Sequence, residues 1–136
     1  MFAIGKSFTF EAGHHLDGLP EGHKCARPHG HSYRAEVILE SGTLTGPGFV
    51  ADFATLMPVQ AFLDSQWDHR CLNEVLATGQ PTCENLARHL FEWCRANLDG
   101  QVARMLAAVR VSETRATFAE YRPDPGDALS PAGRDS

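Results

Sequence analysis

The stretch Cys25-Ala26-Arg27-Pro28-His29-Gly30-His31 runs straight into Ser32-Tyr33-Arg34-Ala35-Glu36-Val37-Ile38-Leu39. From Ser32 onward polar and apolar residues alternate, which is the period of a half-buried β-strand. Successive strand side chains point to opposite faces, so residues two apart share a face. His29 and His31 therefore present two imidazoles side by side at the strand entrance. Gly30 between them leaves the opposite face bare, open to the approach of another backbone. A thiol, Cys25, precedes His29 by four residues. Two imidazoles are two-thirds of the three-histidine set of a catalytic zinc site, which keeps one coordination position open.

Upstream, residues 2–14 alternate in the same way, with Phe8, Phe10 and Ala12 on one face and Ser7, Thr9 and Glu11 on the other. That phase puts His14, not His15, on the face of the phenylalanines, pointing inward. One antiparallel register of residues 2–14 against 29–40 would bring this third imidazole near His29 and His31. Asp17-Gly18-Leu19-Pro20-Glu21-Gly22-His23 between them is a loop by its Gly and Pro content.

Downstream, residues 41–48 carry turn chemistry. Residues 48–53 read as a short extended segment. A helix is predicted over 55–66, with Asp52 or Thr55 as N-cap and Leu56, Val59, Phe62 and Leu63 on one face. Pro58 fits only in its first turn. Residues 67–73 break the pattern. A second helix is predicted over 83–97, capped by Thr82, with Glu84 in its first turn and Leu86, Leu90, Trp93 and Cys94 as its buried stripe. It ends at residues 97–100. Strands follow over 105–114 and 117–121. The order ββααββ is an α+β fold, an antiparallel four-stranded sheet with two helices on one face. Residues 1–121 read as a single domain and 122–136, proline-rich and poor in apolar residues, as a disordered tail.

Composition narrows the function classes. Hydrophobic residues make up 43% of the 136-residue chain and charged residues 21%, ordinary for a globular protein. The net charge of -5 provides no basic footprint, so neither nucleic acid nor an anionic membrane is an expected partner. No apolar run reaches the length of a membrane span. Met1-Phe2-Ala3-Ile4-Gly5-Lys6 enters the first alternating segment directly, unlike a signal peptide. Cys25, Cys71, Cys83 and Cys94 form no CxxC pair, so reduced thiols and a cytoplasmic setting are expected.

Read from the residues alone, each candidate keeps two interpretations. A histidine pair two apart on a strand is a ligand pair or an ordinary polar face. Cys25 is a small buried side chain, or a base where a cation favours its thiolate. Asp68-His69 is a carboxylate holding an imidazole in one tautomer, or a capped helix end, the commoner result for adjacent residues. Val109, Val111 and Glu113 share a strand face, which puts a carboxylate at the end of an apolar row. It either faces solvent or accepts two adjacent N–H donors from a guanidine-like heterocycle. His23 and His89 read as surface residues, and Cys71, Cys83 and Cys94 as packing.

Phe10-Glu11-Ala12-Gly13-His14, followed by Gly22-His23-Lys24-Cys25-Ala26-Arg27-Pro28-His29-Gly30-His31, resembles the 6-pyruvoyltetrahydropterin synthase superfamily. Asp52-Phe53, Asp68-His69 with Leu72-Asn73, Pro81-Thr82 with Glu84-Asn85-Leu86, and Ser112-Glu113-Thr114 recur in the family's order, so the resemblance covers residues 6–121. The Cys-x3-His-Gly-His spacing looks like the bacterial 6-carboxy-5,6,7,8-tetrahydropterin synthase branch of queuosine and 7-deazaguanine biosynthesis. The pyruvoyl-forming branch typically has a longer gap there, and a further branch carries a glutamate and lacks the cysteine.

The resemblance implies a tunnelling fold whose subunits join their sheets into a barrel, commonly a hexamer of two trimers. Active sites then lie between subunits, and Asp68 and His69 serve either their own zinc or a neighbour's. It also implies Zn2+ on His14, His29 and His31, with Cys25, Asp68 and His69 as catalytic groups. Glu113, together with Glu84 and Thr82, would line the pterin pocket. The implied substrate is 7,8-dihydroneopterin triphosphate, and the products are 6-carboxytetrahydropterin, acetaldehyde and triphosphate. Lys24, Arg27 and Arg70 are the candidate cations for the triphosphate. Ala26 and Pro28 depart from related motifs and bear on where Cys25 sits. Two rivals stand beside this reading: a pyruvoyl-forming or aldolase-type pterin enzyme, and a non-catalytic zinc- or pterin-binding module.

Overall fold

The computed structural model describes residues 1–77 and 79–125. Strand β1 (Phe2–His14) buries Phe8, Phe10, Ala12 and His14 and exposes Ser7, Thr9 and Glu11. Strand β2 (His29–Ser41) buries Tyr33, Ala35, Val37 and Leu39 on the same side. The two pair antiparallel from Phe2↔Ser41 to His14↔His29. Strand β3 (Leu106–Ser112) adds antiparallel to β2, and β4 (Ala119–Tyr121) adds antiparallel to β3, giving the sheet order β1-β2-β3-β4. The result is the antiparallel four-stranded α+β architecture that the alternation predicts.

Helices cover the apolar side only. Helix α1 (Met57–Gln66) packs on β1, and α3 (Cys83–Asn97) packs on β3 and β4. Val59 and Leu63 of α1, with Leu86, Leu90, Phe91 and Cys94 of α3, join the strand residues in one core. Trp93, assigned to the buried stripe, is only half-buried; Phe91 takes the inner position. Among the described residues, the opposite sheet face carries Thr9, Ser32 and Arg34, all exposed, and no helix. No helix among the described residues is long and apolar enough to cross a membrane.

The helix predicted over 55–66 begins instead as a 3-10 turn, Phe53–Leu56, and becomes α-helical at Met57. Asp52 is its cap: its side chain accepts from the Ala54 N–H, while the Thr55 hydroxyl donates to the Asp52 carbonyl. Pro58 falls in the first turn of α1, where its missing N–H leaves no bond unmade. Residues 48–53 form no strand; a Thr45↔Phe49 bridge closes a turn through Gly46 and Gly48, both at positive φ. Two short helices lie outside the sequence reading, α2 (Leu72–Val75) and α4 (Gly100–Met105). Each is anchored by a buried apolar residue, Leu72 and Val102, too short a period to register in the pattern. Strand β3 stops at Ser112, not 114, because its pairing with β2 ends at Arg34↔Ser112. Of the tail predicted to be disordered, residues 126–136 lie outside the described residues.

Segment 68–71, just after α1, lies along the outer edge of β1. The Gly13 N–H donates to the Arg70 carbonyl at 3.0 Å, and the His69 N–H donates to the Glu11 carbonyl. The end of the long edge strand is thus covered by its own chain.

Leu90 is fully buried in α3, and Thr82 caps that helix by accepting from the Asn85 N–H. Urea denaturation is expected to show a loss of ~2–5 kcal/mol for Leu90→Ala and of about 1 kcal/mol for Thr82→Ala.

Candidate metal centre and its cavity

The β1–β2 register puts His14 opposite His29 and Ala12 opposite His31. Strand alternation then turns all three imidazoles to the helix-covered side, beside Tyr33. Their ring centroids lie 4.5 Å (His14–His29), 5.0 Å (His14–His31) and 4.8 Å (His29–His31) apart. Gly13 faces Gly30 at this end, and a side chain at Gly13 would come within 3.2 Å of the His29 carbonyl oxygen. Gly30 has more room, since a side chain there would meet the Ala12 carbonyl at 3.6 Å, an ordinary contact.

Hydrogen bonds set the tautomers. Nδ1–H of His14 donates to the Pro81 carbonyl at 2.8 Å, and Nδ1–H of His29 donates to the Arg27 carbonyl at 2.7 Å. Carbonyls only accept, so Nδ1 carries the proton in both rings and the neutral form of each leaves a lone pair on Nε2. Those two Nε2 atoms face each other at 3.0 Å. The third, Nε2 of His31, is buried without a hydrogen-bond partner among the described residues. Glu113 Oε2 lies 2.7 Å from it, but off the ring's bonding direction. Burial pushes His31 below its ordinary value of 6.5; the Glu113 charge opposes that shift, and His14 and His29 add to it. Lone pairs on Nε2 of His14 and His29 thus face one another beside the unpartnered Nε2 of His31.

Glu113, just beyond β3, completes the cluster: one ligand atom from each of His14, His29, His31 and Glu113 lies within 4.8 Å of the others. Nitrogen atoms on a zinc tetrahedron with Zn–N of ~2.05 Å are roughly 3.3 Å apart, close to the His14–His29 separation. The orphaned His31 nitrogen and the facing lone pairs of His14 and His29 are ligand atoms of the kind a metal ion takes, so this set fits one. Behind Glu113, the Cys83 thiol donates to Oε1 at 3.4 Å. Burial first, and then the Glu113 charge, push the Cys83 thiol up to about 12. Burial likewise raises the Tyr33 phenol, whose oxygen is 3.2 Å from His14 Nδ1.

A cavity of about 550 Å³ opens in front of the histidines, lined also by Glu11, His69 and Arg70. Asp68 accepts from the Glu11 N–H at 2.7 Å through Oδ1 and from His69 Nδ1–H at 2.7 Å through Oδ2. Adjacent residues therefore do orient each other here, against the helix-end reading of the pair. His69 manages this at φ 60°, in the left-handed region. That conformation costs roughly 1–2 kcal/mol, offset by its bonds to Asp68 and to the Glu11 carbonyl. The Glu11 N–H, and then the His69 ring, hold the Asp68 carboxyl below its ordinary value of 3.8. His69 lies on the cavity of its own chain.

The other expected residues fall differently. Cys25 is half-buried on a 3-10 turn (Lys24–Ala26), its carbonyl accepting from the Leu16 N–H at 2.9 Å. It neither lines this cavity nor belongs to the histidine cluster. Thr82 and Glu84 line neither cavity beside the cluster; the Thr82 hydroxyl is taken up in capping α3, and Glu84 is exposed in its first turn. Of the nominated cations, Arg70 lines the cavity, while Lys24 and Arg27 are exposed on the loop before β2. Two cations that sequence reasoning missed, Arg34 and Arg115, line a second cavity with His31 and Glu113. The parity of β2 already placed Arg34 beside Ser32, but the approach of the 113–116 turn had no local signal. Cys83, read as packing, touches Glu113.

The fold and this cluster define a tunnelling-fold domain with a His/Glu group that could hold a metal ion at one end of its sheet. The chain belongs to the 6-pyruvoyl tetrahydropterin synthase family, whose profile matches residues 3–124. It is 38% identical over 126 residues to the 6-carboxy-5,6,7,8-tetrahydropterin synthase of Synechocystis, an alignment covering 89% of this chain and 93% of that protein. The putative 6-carboxy-5,6,7,8-tetrahydropterin synthase of Archaeoglobus fulgidus is 33% identical, over 88% of this chain and 94% of the relative. Among solved structures, the 6-pyruvoyl tetrahydropterin synthase of Caenorhabditis elegans superposes with a TM-score of 0.78 at 25% identity, over 90% of this chain and 96% of that one.

Because the folded-state value of Asp68 is depressed, its contribution to stability is present above pH 3.8 and is lost as pH falls through the folded value. The melting-temperature gap between the unmodified protein and Asp68→Asn is therefore expected to be full near pH 6 and to shrink below pH 3.8. A gap independent of pH would show that the carboxylate charge plays no part.

Proposed function

We propose that the chain is a zinc-dependent 6-carboxy-5,6,7,8-tetrahydropterin synthase, a lyase converting 7,8-dihydroneopterin triphosphate to 6-carboxytetrahydropterin, acetaldehyde and triphosphate on the route to queuosine. The observation that carries this reading is the convergence of three imidazoles, one with an orphaned and buried nitrogen, on a space that Glu113 also faces. The relatives' shared name, 6-carboxy-5,6,7,8-tetrahydropterin synthase, supports the product.

His14, His29 and His31 would hold Zn2+, whose chemistry is to acidify a side-chain hydroxyl and polarise a developing carbonyl. Glu113 takes the pterin's 2-amino and N3–H edge, a bidentate demand suited to a carboxylate. Cys25, as thiolate, moves the proton between side chain and ring, and His69, oriented by Asp68, relays it. Arg34, Arg70 and Arg115 are the cations within reach of a triphosphate. Residues 1–121 act as one domain, in a cytoplasmic homo-oligomer read as a hexamer of two trimers. Strand β1 supports that assembly, because segment 68–71 covers its outer edge only near Glu11 and Gly13.

Zinc titration is expected to give one ion per chain. Free zinc a hundredfold above its dissociation constant should add about 2.7 kcal/mol to stability. His14→Ala, His29→Ala and His31→Ala should each abolish that gain, and a gain surviving all three would overturn the site.

Mass spectrometry of the zinc-loaded protein with 7,8-dihydroneopterin triphosphate is expected to yield carboxytetrahydropterin and acetaldehyde. Cys25→Ala should lower turnover by ~10²-fold or more. A pyruvoyl product would reassign the branch, and zinc binding without turnover would leave only a binding module.

A further inference from the structure

Where α3 begins, Pro81-Thr82-Cys83 touches the cluster twice. The Pro81 carbonyl accepts from His14 at 2.8 Å, and two residues on the Cys83 thiol donates to Glu113 Oε1 at 3.4 Å. Thr82 between them is tied down by its capping bond to the Asn85 N–H at 3.2 Å. Cys83 is the first residue of a 15-residue helix and only 8% exposed. Its thiol therefore has little freedom to leave the carboxylate.

We infer that Cys83 is a positioning residue, whose thiol holds Glu113 Oε1 so that the carboxylate is presented to the substrate's paired N–H edge. This role rests on the pterin reading above. A carboxylate has about four acceptor lobes, so one thiol donor leaves the others free. A thiol, with an ordinary pKa of ~8.5, is a neutral donor at neutral pH. It orients Glu113 without cancelling its charge, whereas a lysine or arginine in the same place would form an ion pair competing with the substrate. Serine would keep the donor; alanine would remove it and leave Glu113 with the off-axis His31 contact alone.

The test uses the full-length, zinc-loaded protein and three readouts. For Cys83→Ala, the dissociation constant of 7,8-dihydroneopterin and KM for its triphosphate should rise about tenfold, with kcat within ~2-fold and zinc content unchanged. Cys83→Ser should restore both to within ~3-fold. In difference infrared spectra, the S–H stretching band that Cys83→Ala removes should move to higher frequency in Glu113→Gln, which offers a weaker acceptor. An unmoved band, or equal losses in Cys83→Ala and Cys83→Ser, would overturn the positioning role. Wild-type protein that binds no dihydroneopterin would overturn the pterin reading and this role toward it, a failure told apart by a band that still shifts.

Discussion

The pairing register of β1 and β2 is the constraint on which the site depends. Phe8, Phe10 and Ala12 on one strand, and Tyr33, Ala35, Val37 and Leu39 on the other, must face the helices together. A slip of one residue would turn a whole row to solvent, so hydrophobic burial specifies the register strongly. The histidines sit at the end of those same rows. Their convergence is thus enforced by apolar contacts up to ten residues away, without any attraction between the rings. Once His14 is buried at 2% exposure, its Nδ1–H needs an acceptor, and the Pro81 carbonyl at the start of α3 provides it. Core packing and site geometry are coupled at that bond.

The electrostatic character of the site follows from the same burial. Two rings are committed through Nδ1 to carbonyls, which leaves acceptors facing acceptors, and His31 has no partner for its inner nitrogen. Glu113 adds negative charge at the rim of this group. Such an arrangement is unfavourable in a low-dielectric setting until a cation enters it. The exposed side of the cavity is built otherwise, with Asp68 and His69 pinned to the outer edge of β1 near Glu11. One strand therefore carries His14 on its inner face and the Asp68–His69 pair along its edge. Groups suited to holding a metal and groups suited to moving a proton share a rigid element.

Local pattern was sufficient wherever a repeating period was long enough to read. The two long strands, the helix Cys83–Asn97 with its Thr82 cap, and the inward phase of His14 all follow from alternation or helical spacing. Helix α1 was legible apart from its 3-10 entry, because a cap residue and a first turn do not distinguish i+3 from i+4 bonding. Helices α2 and α4 escaped notice because one buried residue makes no period.

What the sequence determined by itself was the strand phase and so the identity of the three converging imidazoles, since side-chain alternation is a local property of the backbone. Only tertiary structure decided the rest. Glu113 joins the cluster across 82 residues from His31, and the Cys83 thiol meets that carboxylate from another element. Each of these depends on how a helix and a strand end are docked on the sheet, a matter of packing between distant elements that no spacing within one segment encodes.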